Sequence, residues 1–146
     1  MNPNIEPILR SRRLAVVGAS ATPRSFGNEA YRELKKRGYE LFPVNPRYQE
    51  IEGDRCWQSL TDLPQQVESA LFVLSPKAAV SAVAEAKAAG VKYIWFQQLA
   101  NYSAAVKAAE DAGLKTVSRK CILKYAEPVQ GIHSVHRLLT RLVGRL

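Results

Sequence analysis

Short apolar runs alternate with helical stretches along this chain, and no other feature restricts its fold as much. LAVVGAS (14–20), YELFPVNP (39–46), SALFVLSP (69–76), VKYIWFQ (91–97) and LKTVS (114–118) read as strands, apolar without the alternation of a half-exposed sheet. FGNEAYRELKKRG (26–38) follows the first with helical spacing, placing Phe26, Ala30 and Leu34 on one face. The runs 77–90 and 103–113 are alanine-rich helices, and Gly38, Gly90 and Gly113 are natural stops. Strands separated by helices of this length require right-handed crossovers and parallel pairing. The expected fold is therefore α/β: a three-layer, Rossmann-like domain with a mainly parallel five-stranded sheet. A core over about 14–121 and a C-terminal amphipathic helix over about 133–146 complete one domain of 146 residues. The segment IEPILRSRR reads as a short helix covering the edge of the sheet.

Composition narrows the partners. The chain has no run of 18 apolar residues that could span a bilayer, and the first residues lack the apolar centre of a signal peptide. Cys56 and Cys121 have no metal-ligand spacing, which suggests a reducing, cytoplasmic setting. Lys and Arg number 21 against 13 Asp and Glu, a net charge of +8. That excess favours an anionic partner: a phosphorylated small molecule, nucleic acid or an acidic protein. The basic residues are scattered and no RNA-binding aromatic pattern accompanies them, which argues against nucleic acid.

In open parallel sheets, ligands bind at the carboxyl ends of the strands, near the reversal of strand order. Those ends are Gly18-Ala19-Ser20, Asn45-Pro46-Arg47, Ser75-Pro76 and Gln97-Gln98. Gly18 permits a tight turn, and the helix that follows offers free amides and a partial positive charge to an anion. Ser20 and Ser25 add hydroxyls, and Arg24 adds a full charge. The loop is neither G-x-G-x-x-G nor a Walker sequence, and taken alone an ordinary strand-to-helix turn is the preferred account. The second strand end shifts the balance. An NAD site places an acid there to accept from the ribose hydroxyls, whereas this chain has Asn45, Pro46 and Arg47. An arginine suits a phosphate on the ribose, as in NADP or coenzyme A. The bland alternative for Arg47 is a solvated surface charge.

VVGAS, GYELFPVNPRYQEIEG, SLTDLP, WFQQ and AAEDAGLKTV together resemble the small stand-alone coenzyme A-binding proteins of bacteria and archaea. These are similar to the nucleotide-binding domain of the succinyl-CoA synthetase α subunit. The resemblance covers roughly 14–121, and PVNP followed by EI-x-G is its most specific piece. It implies that Gly18, Ala19 and Ser20, with Pro23, Arg24 and Ser25, meet the diphosphate. It implies that Asn45, Pro46 and Arg47 lie by the adenosine and its 3′-phosphate, and that Leu74, Ser75 and Pro76 line the nucleotide and pantetheine groove. Gln97 would sit deeper, at the end of the fourth strand. The chain departs from the family at Leu99, where a glycine is usual, and at VLSP, where the third strand normally ends in a phenylalanine-arginine type of sequence. It departs again at SRKC, where Arg119 and Lys120 precede Cys121 without the usual acid or amide.

No catalytic set stands out. His133 and His136 share a face of the last helix without a carboxylate neighbour, and Glu85, Glu110 and Asp111 read as surface residues. Cys121 is the one candidate nucleophile, able in principle to form a mixed disulfide with coenzyme A, although a buried structural cysteine is the preferred account. The last helix is basic and amphipathic; packing on the sheet or across a homodimer is preferred to a membrane surface or a partner helix. Trp57, Tyr93 and Trp95 are expected in the core or groove wall. The leading expectation is a coenzyme A or acyl-CoA binding protein, non-catalytic by itself. The alternatives are an NADP-binding or ligase-subunit-like component acting with a partner chain, and a basic interaction protein with an empty groove.

Overall fold

In the computed structural model, which describes residues 2–20, 25–98 and 100–127, the chain begins with α1 (Ile5–Ser11) and β1 (Arg13–Val17). Next come α2 (Phe26–Lys36), β2 (Glu40–Val44) and a small hairpin, β3 (Glu50–Ile51) with β4 (Asp54–Arg55). A 3-10 turn (Leu60–Asp62) leads into β5 (Ser69–Phe72), α3 (Pro76–Ala88), β6 (Tyr93–Gln97), α4 (Ser103–Asp111) and β7 (Lys115–Lys120). The sheet has five strands in the order β2-β1-β5-β6-β7, all parallel. The expected C-terminal helix, with His133 and His136, lies outside the described residues.

Helices cover both faces of the sheet, so neighbouring residues on a strand enter opposite layers. Leu14, Val16, Leu71, Trp95 and Val117 pack with Ile5 and Ile8 of α1 and with Tyr31 and Leu34 of α2. Ala15, Val17, Ala70, Phe72, Ile94 and Phe96 pack against α3 and α4. Those two helices bury mainly alanines, among them Ala79, Ala86, Ala105 and Ala109, so they can lie close to the strands. Phe72 and Phe96 meet edge to face at 5.4 Å in this layer. The short first helix thus covers a face of the sheet rather than its edge. Asn2 and Asn4 anchor its start by donating to the Thr116 carbonyl of β7.

Two strands end where their cap chemistry dictates, not where their apolar run does. β5 stops at Phe72 because Ser75 is already the N-cap of α3 and Pro76 its first residue. β7 runs to Lys120, past the apolar LKTVS, because a register shift against β6 inserts an extra residue.

The chain leaves β1 to one side, forming β2, and then crosses to the other side, forming β5. The loops after β1 and β5 therefore diverge and open a crevice between them, the position at which such sheets receive ligands.

Candidate functional site

β1 ends in Gly18, whose φ of 107° only glycine adopts without strain. A Cβ here would stand 2.8 Å from the Val73 carbonyl oxygen and 2.8 Å from Leu74 Cδ2, so the side-chain-free backbone lets the first loop pass close to the end of β5. The Gly18 amide donates to the Val44 carbonyl at 3.0 Å, and that of Val73 to the Val17 carbonyl at 2.9 Å. These bonds fix the ends of β2, β1 and β5 side by side. Ala19 is buried, Ser20 is half-buried, and Ser25 caps α2 by accepting from the Asn28 amide at 3.2 Å. Pro23, Arg24 and Leu99 lie outside the described residues.

At the end of β2, the side chain of Asn45 serves the backbone. It donates to the Ala19 carbonyl at 2.9 Å and accepts from the Arg47 amide at 2.9 Å. The backbone around Trp57 runs parallel to β2, with Trp57 donating to the Pro43 carbonyl and Asn45 donating to that of Trp57, each at 2.9 Å. Pro46 and Arg47 are left exposed at the crevice. Arg47 makes no ion pair with any described carboxylate, whereas the guanidinium of Arg55 lies 3.8 Å above the Trp57 ring.

The cleft itself holds about 640 Å³. Gly18, Ser20, Asn45, Pro46, Arg47, Leu74 and Ser75 all line it, so the ends of β1, β2 and β5 do converge on one space. Tyr102, from the start of α4, donates its buried hydroxyl to the Leu74 carbonyl and fixes that wall. Burial raises the Tyr102 pKa, which keeps the hydroxyl a donor. Pro76 starts α3 beside the cleft without lining it, and Ala19 contributes through its carbonyl only.

Gln97 is placed elsewhere. Its side chain is fully buried at the end of β6, where Nε2 meets Cys121 Sγ at 3.1 Å and Oε1 accepts from the Ile122 amide at 2.9 Å. It therefore braces the chain after β7 and does not line the cleft. Cys121 is half-buried against it. At the bulge before it, Arg119 adopts a φ of 61° and borders a separate cavity of about 590 Å³ with Tyr102, Ser103 and Glu110.

Two residues gain roles that the sequence does not announce. Glu85 is not a plain surface residue: it lines the cleft from α3 and accepts from the Leu60 amide at 2.5 Å. Asn28, nearly fully buried, accepts from the Ser20 amide at 2.8 Å and from the Ser25 hydroxyl at 2.9 Å. The sequence signal was the Ser25-x-x-Asn28 spacing at a helix start, which reads equally as an ordinary cap. Among the described residues no group of His, Cys, Asp and Glu is arranged to hold a metal ion, and no helix is long and apolar enough to cross a membrane.

A family model described as a CoA binding domain matches residues 12–127. The α subunit of ADP-forming acetate–CoA ligase II from Pyrococcus furiosus is 34% identical over 82 residues, covering 56% of this chain and 18% of that subunit. ADP-forming acetate–CoA ligase I from Archaeoglobus fulgidus is 28% identical over 128 residues, covering 81% of this chain and 19% of the ligase. The chain thus spans about a fifth of the length of the ligases it matches. A solved structure of a hypothetical protein from Pyrococcus horikoshii OT3 superposes with a TM-score of 0.78 at 34% identity, covering 85% of this chain and 88% of that one.

Proposed function

The chain belongs to the CoA-binding domain family, and on that premise we propose that it holds coenzyme A or an acyl-CoA in the cleft between β1 and β5, without catalysing a reaction by itself. When bound, coenzyme A supplies a thiol that carries an acyl group as a thioester. The protein's part is recognition. Gly18 brings the first loop close to the crevice, so that the diphosphate would lie beside Gly18 and Ser20, and Pro46 offers an exposed apolar ring to the adenosine. The observation that carries the reading is Arg47. Its guanidinium stands at the cleft with no carboxylate partner among the described residues, at the strand end where an NAD site has an acid. A cation there favours a phosphate on the ribose.

Support for a binding role without chemistry comes from the groups nearest the cleft. Glu85 is committed to the Leu60 amide and Asn45 to backbone, so each holds the wall in place. The match to ligase α subunits favours a second reading, in which this domain presents the cofactor to a separate catalytic chain.

Thermal denaturation with coenzyme A, dephospho-coenzyme A, NADP and NAD separates the possibilities. A ligand at a hundredfold excess over its Kd raises stability by about 2.7 kcal/mol. The largest shift is expected with coenzyme A and a smaller one with its dephospho form. A shift with NADP that equals or exceeds that with coenzyme A would reassign the cleft.

A further inference from the structure

Asn28 sits between the first loop and the β3–β4 hairpin, and its amide is sandwiched by groups of opposite demand. On one side stands Glu52, whose carboxylate can only accept hydrogen bonds. The Asn28 NH2 must therefore face it, and Nδ2 lies 3.0 Å from Glu52 Oε2. The same NH2 donates to the Ser20 carbonyl. The amide oxygen is then left to face the Ser20 N–H at 2.8 Å and the Ser25 hydroxyl at 2.9 Å. A neutral glutamine in place of Glu52 keeps an acceptor but loses the charge shared with Arg32, so it holds the Asn28 NH2, and with it the amide oxygen that receives the Ser20 N–H, less firmly.

Glu52 is itself held hard. Arg32 Nη1 of α2 lies 2.7 Å from the same Oε2, and the Glu52 side chain is only 18% exposed. Its backbone takes a φ of 53° in the hairpin turn, an uncommon state for a residue with a side chain. A neighbouring pair, Lys35 with Asp54 at 2.9 Å, fastens the same hairpin to α2 but makes no recorded contact with Asn28.

We propose that Glu52 is a positioning residue for the first loop: acting through Asn28, whose amide oxygen receives the Ser20 N–H and the Ser25 hydroxyl, it sets where Ser20 stands at the mouth of the cleft. Arg32 completes the device, because it neutralises a carboxylate that would otherwise repel an incoming diphosphate. The identity of the ligand rests on the coenzyme A reading; the relay from Glu52 to Ser20 does not.

Amide hydrogen exchange of Ser20, followed by NMR on the free protein, and coenzyme A titration test the relay in Glu52→Gln and in Lys35→Ala. Glu52→Gln should speed Ser20 exchange and weaken coenzyme A, each by roughly tenfold, the effect of losing one charge-assisted bond. Lys35→Ala should leave both within about twofold, although it also loosens the hairpin. The proposal is overturned if Glu52→Gln leaves Ser20 exchange unchanged, or if Lys35→Ala alters it equally, since Glu52 would then only dock the hairpin. If the unaltered protein binds no coenzyme A, the ligand assignment fails and the exchange measurements alone decide the relay.

Discussion

The side-chain amide of Asn45 donates to the carbonyl of Ala19, 2.9 Å away, and so ties the end of β2 to the loop that leaves β1. The same side chain accepts from the Arg47 amide, which sets the turn that carries the guanidinium. Asn45→Asp keeps the acceptor and loses the donor, leaving a carboxylate against the Ala19 oxygen. Its expected cost is about 1–3 kcal/mol in folding stability, read by urea denaturation, together with weaker coenzyme A binding.

Arg47→Ala should leave stability almost unchanged, because the residue is exposed. It should weaken coenzyme A binding by about 1.5–3 kcal/mol, roughly tenfold or more, the worth of a hydrogen bond to a charged group. Calorimetric titration should show that coenzyme A and dephospho-coenzyme A now bind alike. A retained preference for the 3′-phosphate would remove Arg47 from that role.

Gly18→Ala meets two obstacles at once, a φ of 107° and a Val73 carbonyl oxygen 2.8 Å from the new Cβ. The expected loss is about 1–3 kcal/mol by denaturant unfolding. Coenzyme A binding should fall with it, because the shift needed to relieve the contact moves the loop away from the end of β5.

Tyr102→Phe removes the hydroxyl that donates to the carbonyl of half-buried Leu74. About 1–3 kcal/mol of stability should be lost, read as a lower denaturation midpoint.

The tyrosines also set an alkaline limit. Burial pushes the hydroxyl of Tyr31 well above its ordinary pKa, reinforced by its hydrogen bond to Asp54, and burial raises those of Tyr39 and Tyr102 as well. Their stabilisation is whole below the unfolded value of about 10 and is lost as pH rises past it, since the unfolded chain then releases protons that the native state keeps. Each contributes a slope of up to ~1.4 kcal/mol per pH unit in that window. Denaturant midpoints measured from about pH 9 to about pH 11 should fall steeply, and less steeply in Tyr31→Phe.

The alternation of strands and helices was open to reading because parallel strands buried on both faces have to be apolar throughout, and that leaves a periodicity visible in sequence. The convergence of Gly18, Asn45, Arg47 and Leu74 followed from the rule that such strands bind ligands at their carboxyl ends. The β3–β4 hairpin was not legible: strands of two residues carry no period, and Glu52-Gly53 resembles any polar turn. Asn28 and Glu85 escaped for a different reason. Each is a helical residue whose partners, Ser20 and Glu52 for one and Leu60 for the other, become neighbours only through tertiary packing. Gln97 shows the converse, a polar strand end spent on bracing Ile122.

The most direct test is a crystal structure of the complex grown with saturating coenzyme A. The account predicts the diphosphate beside Gly18 and Ser20, the adenine over Pro46 and the 3′-phosphate on Arg47. A nucleotide found instead in the cavity bordered by Arg119, or a cleft without ligand between β1 and β5 at saturation, would contradict it.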